Sequence, residues 1–191
     1  EMFETSPEIV KKHFLVLRRL AEKIGPDLKV FLGCEFHANV EMLEYLHADR
    51  VYSMAGSRYV LTEFSASTEE KYIRDRIYEL LSSGYKPIVA HIERYKCMKD
   101  IELVEYLVNK GAYMQVNADS VIGKNGHGVK KYCGKLLEDE LVQFIGSDCH
   151  NSDKRIPRIG EAYHYVSKKM GKAYADQIFI ENPKKIIDNR F

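Results

Sequence analysis

The sequence predicts an α/β fold in which βα units wind into a parallel barrel or sheet, and three observations predict it. Short apolar runs bounded by turn residues recur along the chain, segments of helical period lie between them, and five of the runs end on metal-binding or amide side chains. The runs are LKVFLGCE to Glu35, YVLTE to Glu63, KPIVAH to His91, AYMQVN to Asn117 and LVQFIGSDCH to Asp148 and His150. Mostly apolar extended runs read as strands covered on both faces. In folds of this kind the active-site groups gather at the C-terminal ends of the strands. Two Glu, one Asp and two His on one rim point to a hard, multi-metal hydrolytic site.

The helices follow in order. Over residues 7–24 Ile9, Val10, His13, Phe14, Leu17, Leu20, Ala21 and Ile24 keep the 3.6 period, with Ser6 and Pro7 at the start and Gly25 and Pro26 at the end. After the strand to Glu35 come a short helical NVEMLEYLHA segment and the strand to Glu63. Ser67, Thr68, Glu69 and Glu70 offer a capping box for a helix that Gly84 terminates. Beyond His91 a helix is expected from Asp100 to Lys110, stopped by Gly111. GKNGHG after Asn117 reads as a loop, and a helix from Lys130 to Glu138 leads into the last strand. From Ile159 onward the chain reads as helical, with Asn182 and Pro183 separating two final helices. A helix with no strand before it is unusual in this fold class, because that helix normally covers a preceding strand. Together with a start at Glu1 and not Met, it leads us to expect that a first βα portion is missing.

Bulk composition excludes several classes. At 191 residues one domain is expected, residues 1–191, with enough chain to bury a core. Twenty-nine Lys plus Arg against 28 Asp plus Glu leave a net charge of +1, so no global field draws the chain to nucleic acid or a membrane surface. No stretch is apolar enough to span a bilayer, and no signal-peptide pattern opens the chain. Cys34, Cys97, Cys133 and Cys149 show no CxxC spacing, which fits a reduced, cytoplasmic protein. Oligomeric state is left open.

Asp148 and His150 are the sharpest local signal, since two residues apart on an extended segment they face one side. A helix-capping Asp beside a surface His is the plainer alternative. Glu35 and Glu63 taken singly could be solvated strand ends, and His91 a hydrogen-bonded core histidine. Taken together, the five suit Mn, Mg, Fe or Zn better than a soft thiolate site. His37, two residues beyond Glu35, is a reserve ligand. Arg94 and Arg155 lie just past ligand candidates, where a guanidinium fork would match phosphoryl oxygens. Their alternative is surface salt bridging.

Cys149 and Arg155 also satisfy C-x5-R, the bare pattern of cysteine-dependent phosphatases. That chemistry needs a loop of backbone N–H groups around phosphate and a thiolate held at low pKa. Here the intervening residues include no glycine, and Asp148 and Asp153 would repel both anions. A small, inert Cys149 is the reading preferred.

LGCEF, LTEFS, VAHIERY, QVNADS, SDCHN followed by Arg155, and the closing IFIENPKKII resemble, in order and spacing, the PHP-superfamily tyrosine phosphatases of bacterial capsule and exopolysaccharide systems. The resemblance covers essentially the whole chain. It implies a distorted, TIM-like parallel βα barrel holding two or three divalent ions in the complete protein, commonly manganese. It further implies Glu35, Glu63, His91, Asp148 and His150 as ligands, and Arg94 and Arg155 as catalytic residues that bind the substrate phosphate. The implied substrate is the phosphorylated tyrosine-rich tail of a capsule-system tyrosine kinase, attacked by metal-activated water with no cysteinyl-phosphate. That family opens with a strand bearing HxH and then a further Asp and His ligand, all ahead of its counterpart of MFETSPE; this sequence has none of them. The expectation is therefore a barrel incomplete at its N-terminus. Two other readings stand beside it: a PHP phosphoesterase acting on histidinol phosphate or nucleic-acid ends, and a metal-poor binding domain.

Overall fold

The computed structural model describes residues 6–188; residues 1–5, including the first four letters of MFETSPE, and residues 189–191 lie outside it. Helix α1 (Pro7–Ile24) starts where the sequence places it, with Ser6 extended and its Oγ accepting a hydrogen bond from Ile9 N. Proline in the first turn costs no hydrogen bond there. The apolar stripe of α1 is not covered among the described residues. Only Ala21 is buried, while Leu17 is 54% and Ile24 80% exposed.

Five strands follow, β1 (Glu35–His37), β2 (Tyr59–Glu63), β3 (Lys86–Val89), β4 (Tyr113–Asn117) and β5 (Phe144–Gly146), forming one parallel sheet in the order β1-β2-β3-β4-β5. Between them lie α2 (Met42–His47), α3 (Glu70–Ser82), α4 (Ile101–Asn109), α5 (Ala118–Ile122) and α6 (His127–Glu138). Helices α7 (Ile159–Met170), α8 (Lys172–Asp176) and α9 (Asn182–Ile187) close the described chain, with a π-helical turn at Gln177–Glu181 before α9. Strand order follows chain order, without the reversal at which a doubly wound sheet changes direction. Among the described residues the sheet is open, since β1 pairs only with β2 and β5 only with β4.

Alternation along the strands builds two cores of unequal size. Phe36, Val60, Val89, Met114, Val116 and Ile145 join the large cluster that includes Ile73, Ile77 and Leu80 of α3 and Leu136 of α6. Tyr59, Ile88 and Phe144 form a small cluster on the other face, closed by Ile186 of α9. Tyr59 stands 5.4 Å from Tyr113 and 6.4 Å from Phe144, ring centre to ring centre, within the range of favourable aromatic pairs.

Several sequence expectations need correction. Residues 28–34 are not strand, and Glu35 opens β1 where it was expected to end it. The Leu32 carbonyl accepts from Ala55 N of a 3₁₀ turn (2.8 Å), so that backbone is held by a turn and not a ladder. No capping box forms at α3, whose N-cap is Glu69 without a side-chain bond. Its end is as expected: Gly84 takes a positive φ of 80° while Tyr85 N reaches back to the Leu80 carbonyl, a conformation that favours glycine. GKNGHG is only partly loop, since α6 begins at His127, and α5 was not expected at all. β5 stops at Gly146, so Asp148 and His150 do not share an extended segment and the argument that they must face one side fails. At the C-terminus the break falls at Gly171, while Asn182 continues in helical geometry from the π turn.

Burial separates side chains that the helical period treats alike. Leu80→Ala, at a site with no exposure, should cost about 2–5 kcal/mol in urea unfolding. Leu20→Ala, at a site 51% exposed, should change stability by no more than about 0.5 kcal/mol.

Candidate metal centre and arginine clamp

β1, β2 and β3 are adjacent and parallel, and Glu35 at the start of β1, Glu63 at the end of β2 and His91 two residues past β3 come together beside them. Glu35 Oε1 lies 2.8 Å and Glu63 Oε2 3.3 Å from His91 Nε2, and one ligand atom from each residue falls within 4.8 Å of the others. His91 is 4% exposed, whereas the two carboxylates are about one-third open to solvent. His91 Nδ1 sits 3.3 Å from the Tyr95 hydroxyl, which accepts from Phe64 N. That contact turns Nε2 toward the carboxylates, the arrangement in which a metal-ligating imidazole is normally held. Two carboxylates and one imidazole, lone pairs converging, fit a hard or borderline divalent cation. His37 Nδ1 lies 3.7 Å from Glu63 Oε1, at the edge of this group and outside the three that converge.

His91 leaves β3 with φ 34°, a left-handed conformation that is strained for a side-chain-bearing residue. Its amide donates to Gln115 Oε1 at 2.7 Å. Gln115 Nε2 donates in turn to the Val116 carbonyl and to Asn117 Oδ1. Gly146 lies directly beneath: a Cβ there would come within 2.6 Å of Gln115 Nε2. The glycine of IGSD is thus a packing requirement for the residue that shapes the His91 turn.

Asp148 is drawn into different company. Its Oδ1 accepts from Arg155 Nη2 at 2.6 Å, and its Oδ2 accepts from Asn117 Nδ2 at 2.9 Å and from Arg94 Nη2. Burial pushes the Asp148 carboxyl upward, but the charges of Arg94 and Arg155 and the bonds from Arg94 and Asn117 outweigh it and hold the group below the ordinary carboxylate range. Two guanidinium groups around one carboxylate leave net positive charge, and both are about half exposed. Guanidinium groups held this way have the donor geometry that suits an anion. Asp148 shares a cavity of about 210 Å³ with Glu35, His91, Gln115 and Asn117. His150 is not among the converging three; its side chain is 54% exposed, with Nδ1 2.9 Å from the carbonyl oxygen and 3.5 Å from Oδ1 of Asp148.

The C-x5-R segment is not organised to hold phosphate. Asn151 Oδ1 accepts from the amides of Asp153, Lys154 and Arg155 at 3.3, 2.9 and 2.8 Å, and Asp153 Oδ1 accepts from Lys154 N. The backbone donors such a loop would offer a phosphate are thereby occupied. Asn151 shapes the loop that delivers Arg155, a role the sequence showed only as the last letter of SDCHN.

Sequence reasoning also missed Gln115 and Glu93. Glu93 is buried, with Oε1 accepting from Asn117 N at 3.0 Å and Ser120 Oγ at 2.7 Å. The available signal was a charged residue within VAHIERY and a polar one within the apolar run YMQVN. Gly146→Ala should displace Gln115, cost about 1–3 kcal/mol in unfolding and weaken divalent-cation binding measured by calorimetry.

Comparison with known proteins places the chain in a family. The family model for capsular polysaccharide synthesis, CpsB/CapC, matches residues 1–188. Tyrosine-protein phosphatase CpsB of Streptococcus pneumoniae is 35% identical over 192 residues, covering 97% of this chain and 79% of that protein. Tyrosine-protein phosphatase YwqE of Bacillus subtilis is 27% identical over 190 residues, covering 99% and 74%. A solved structure from the work on YwqE and CpsB as unique metal-dependent tyrosine phosphatases superposes with a TM-score of 0.91 at 27% identity, covering 100% of this chain and 77% of that one. By sequence over nearly its whole length, and with a matching fold, the chain belongs to the CpsB/CapC family of capsular polysaccharide synthesis.

Proposed function

We propose that the protein is a metal-dependent protein-tyrosine phosphatase that removes phosphate from the tyrosine-rich tail of a capsule-system tyrosine kinase. One observation carries the reading: Glu35, Glu63 and His91 converge on the same rim that presents a carboxylate-anchored pair of arginines. The family membership and the printed activities of the relatives support it. In this reading the open parallel sheet is part of the wall of a distorted, TIM-like βα barrel, with residues 1–191 forming one domain.

Glu35, Glu63 and His91 would hold a divalent cation, manganese by the family resemblance, with iron, magnesium and zinc as alternatives and two or three ions in a complete site. When bound, such cations polarise the phosphoryl group and lower the pKa of a water molecule. Tyr95 keeps the His91 ring oriented, and Gln115 holds its backbone. Arg94 and Arg155 receive the phosphate, and their N–H forks are directed at oxygens on which charge accumulates during transfer. Asp148 keeps both guanidiniums in place before substrate arrives, so less ordering remains for the reaction step. Asp148 and His150 are carried as the two further ligands of the same proposal; for Asp148 this requires an exchange of partners with an arginine. The reduced cytoplasm is the compartment the cysteine pattern favours.

Hydrolysis of a phosphotyrosine peptide and of histidinol phosphate, compared in Mn2+-supplemented buffer, tests the substrate class. The peptide should be the better substrate by kcat/KM, and chelation should abolish the activity. Preference for histidinol phosphate would move the protein to another phosphoesterase class, and absence of both bound metal and turnover would leave a binding domain. His91→Ala should weaken Mn2+ binding by at least about 10²-fold, and Arg94→Ala should lower kcat by about 10²–10³-fold with metal retained. Cys149→Ser should keep activity within about twofold, because no step uses the thiol; loss of turnover with metals still bound would sink the metal-based mechanism.

A further inference from the structure

We infer that Glu93 is a positioning residue for the arginine clamp: its buried carboxylate ties the turn carrying Arg94 to the end of β4 and so sets where Arg94 stands over Asp148. The inference rests on the reading of Arg94 as a phosphate-holding residue.

Glu93 occupies the middle of the 3₁₀ turn Ile92–Arg94 and is 5% exposed. Its Oε1 takes two hydrogen bonds, from Asn117 N and Ser120 Oγ, and Asn125 Nδ2 steadies the same Ser120 hydroxyl at 2.9 Å. Its Oε2 is buried and has no partner. A carboxylate held inside the protein with one oxygen unsatisfied is costly. The two bonds use only the accepting oxygen Oε1, which an amide would also supply. Lys99 Nζ donates to the Glu93 carbonyl at 2.6 Å and not to its side chain.

What distinguishes Glu93 is the circuit it closes. Asn117 is held by Glu93 through its backbone amide and reaches Asp148 Oδ2 through its side chain. That same Asp148 oxygen accepts from Arg94, the residue next to Glu93 in sequence. Glu93, Asn117, Asp148 and Arg94 therefore form a closed ring in which every link is a hydrogen bond or a peptide bond. A ring of this kind fixes the direction of Arg94 more tightly than one ion pair at a half-exposed site. Glu35 and Glu63 bond to no member of the ring; His91 meets it through its carbonyl, which accepts from Arg94 N at 3.0 Å, and through Gln115, and Asp148 is the one proposed ligand inside it. Releasing Glu93 should disturb phosphate handling far more than cation binding at Glu35, Glu63 and His91.

The test uses the Mn2+-loaded protein and its E93Q, E93A, S120A, R94A and E93A/R94A variants. It measures Mn2+ affinity, affinity for orthophosphate, and kcat and KM on a phosphotyrosine peptide. E93A should keep Mn2+ affinity within about threefold of the parent while kcat falls by about 10²-fold, the scale on which a small misplacement acts. Orthophosphate should bind more weakly in step. E93Q retains the accepting oxygen and should recover most of the kcat, and S120A should show a smaller loss of the same kind. The double variant E93A/R94A should be no worse than R94A, because both remove one function. Multiplicative losses in the double variant, or Mn2+ affinity that falls together with kcat, would overturn the proposal. If E93A does not fold, E93Q and S120A decide: losses that track thermal stability alone count against it. If phosphotyrosine is not hydrolysed, the substrate reading fails while the orthophosphate series still tests the role of Glu93.

Discussion

The left-handed turn at His91 is the constraint on which the rest of the site depends. A parallel strand delivers its last residue to the rim, but continued extension would carry the following residues away from the sheet. At φ 34° the chain instead bends within one residue, leaving the His91 ring over Glu35 and Glu63 and starting the turn that carries Arg94. Such a conformation opposes the ordinary steric preference of an L-residue and persists only where the surroundings specify it. Gln115 on the neighbouring strand supplies that specification by accepting the His91 amide, and Gly146 leaves it the necessary space.

From that turn two functional halves separate. On one side lie the Glu35 and Glu63 carboxylates, partly open to water, with an imidazole whose second nitrogen faces Tyr95. On the other lie the arginines, whose electrostatic partner is Asp148. The first group belongs to β1, β2 and the residues just past β3, and Asp148 to the segment just past β5, so the order of the sheet contributes to their placement. One cavity touches Glu35, His91 and Asp148, and so joins the two groups.

Much of this was legible in the sequence because the pattern is local. Apolar runs ending on Glu63 and Asn117 became β2 and β4 with the expected ends, and His91 falls two residues past β3. The convergence of Glu35, Glu63 and His91 followed from parallel neighbours sharing one rim. The partnership of Asp148 was not legible. Its two-residue spacing from His150 implied a common face only if β5 continued, and a positive φ of 49° at Asp148 ends that logic. Buried polar residues such as Gln115 and Glu93 were overlooked because periodicity counts apolar side chains and is blind to hydrogen bonds made across 24 residues.

The amino-acid sequence by itself determined the element types, the family and the residue types available to the site. Those depend on side-chain period, turn chemistry and motif spacing along the chain. Tertiary structure decided the partners. It set Asp148 between two arginines, left much of the apolar stripe of α1 exposed and filled the C-x5-R loop with the side chain of Asn151. The physical reason is that a hydrogen bond or ion pair selects among groups by distance and direction in space. Strand order, the left-handed turns and the space left by a glycine set those distances, and none of them exists until the chain has folded.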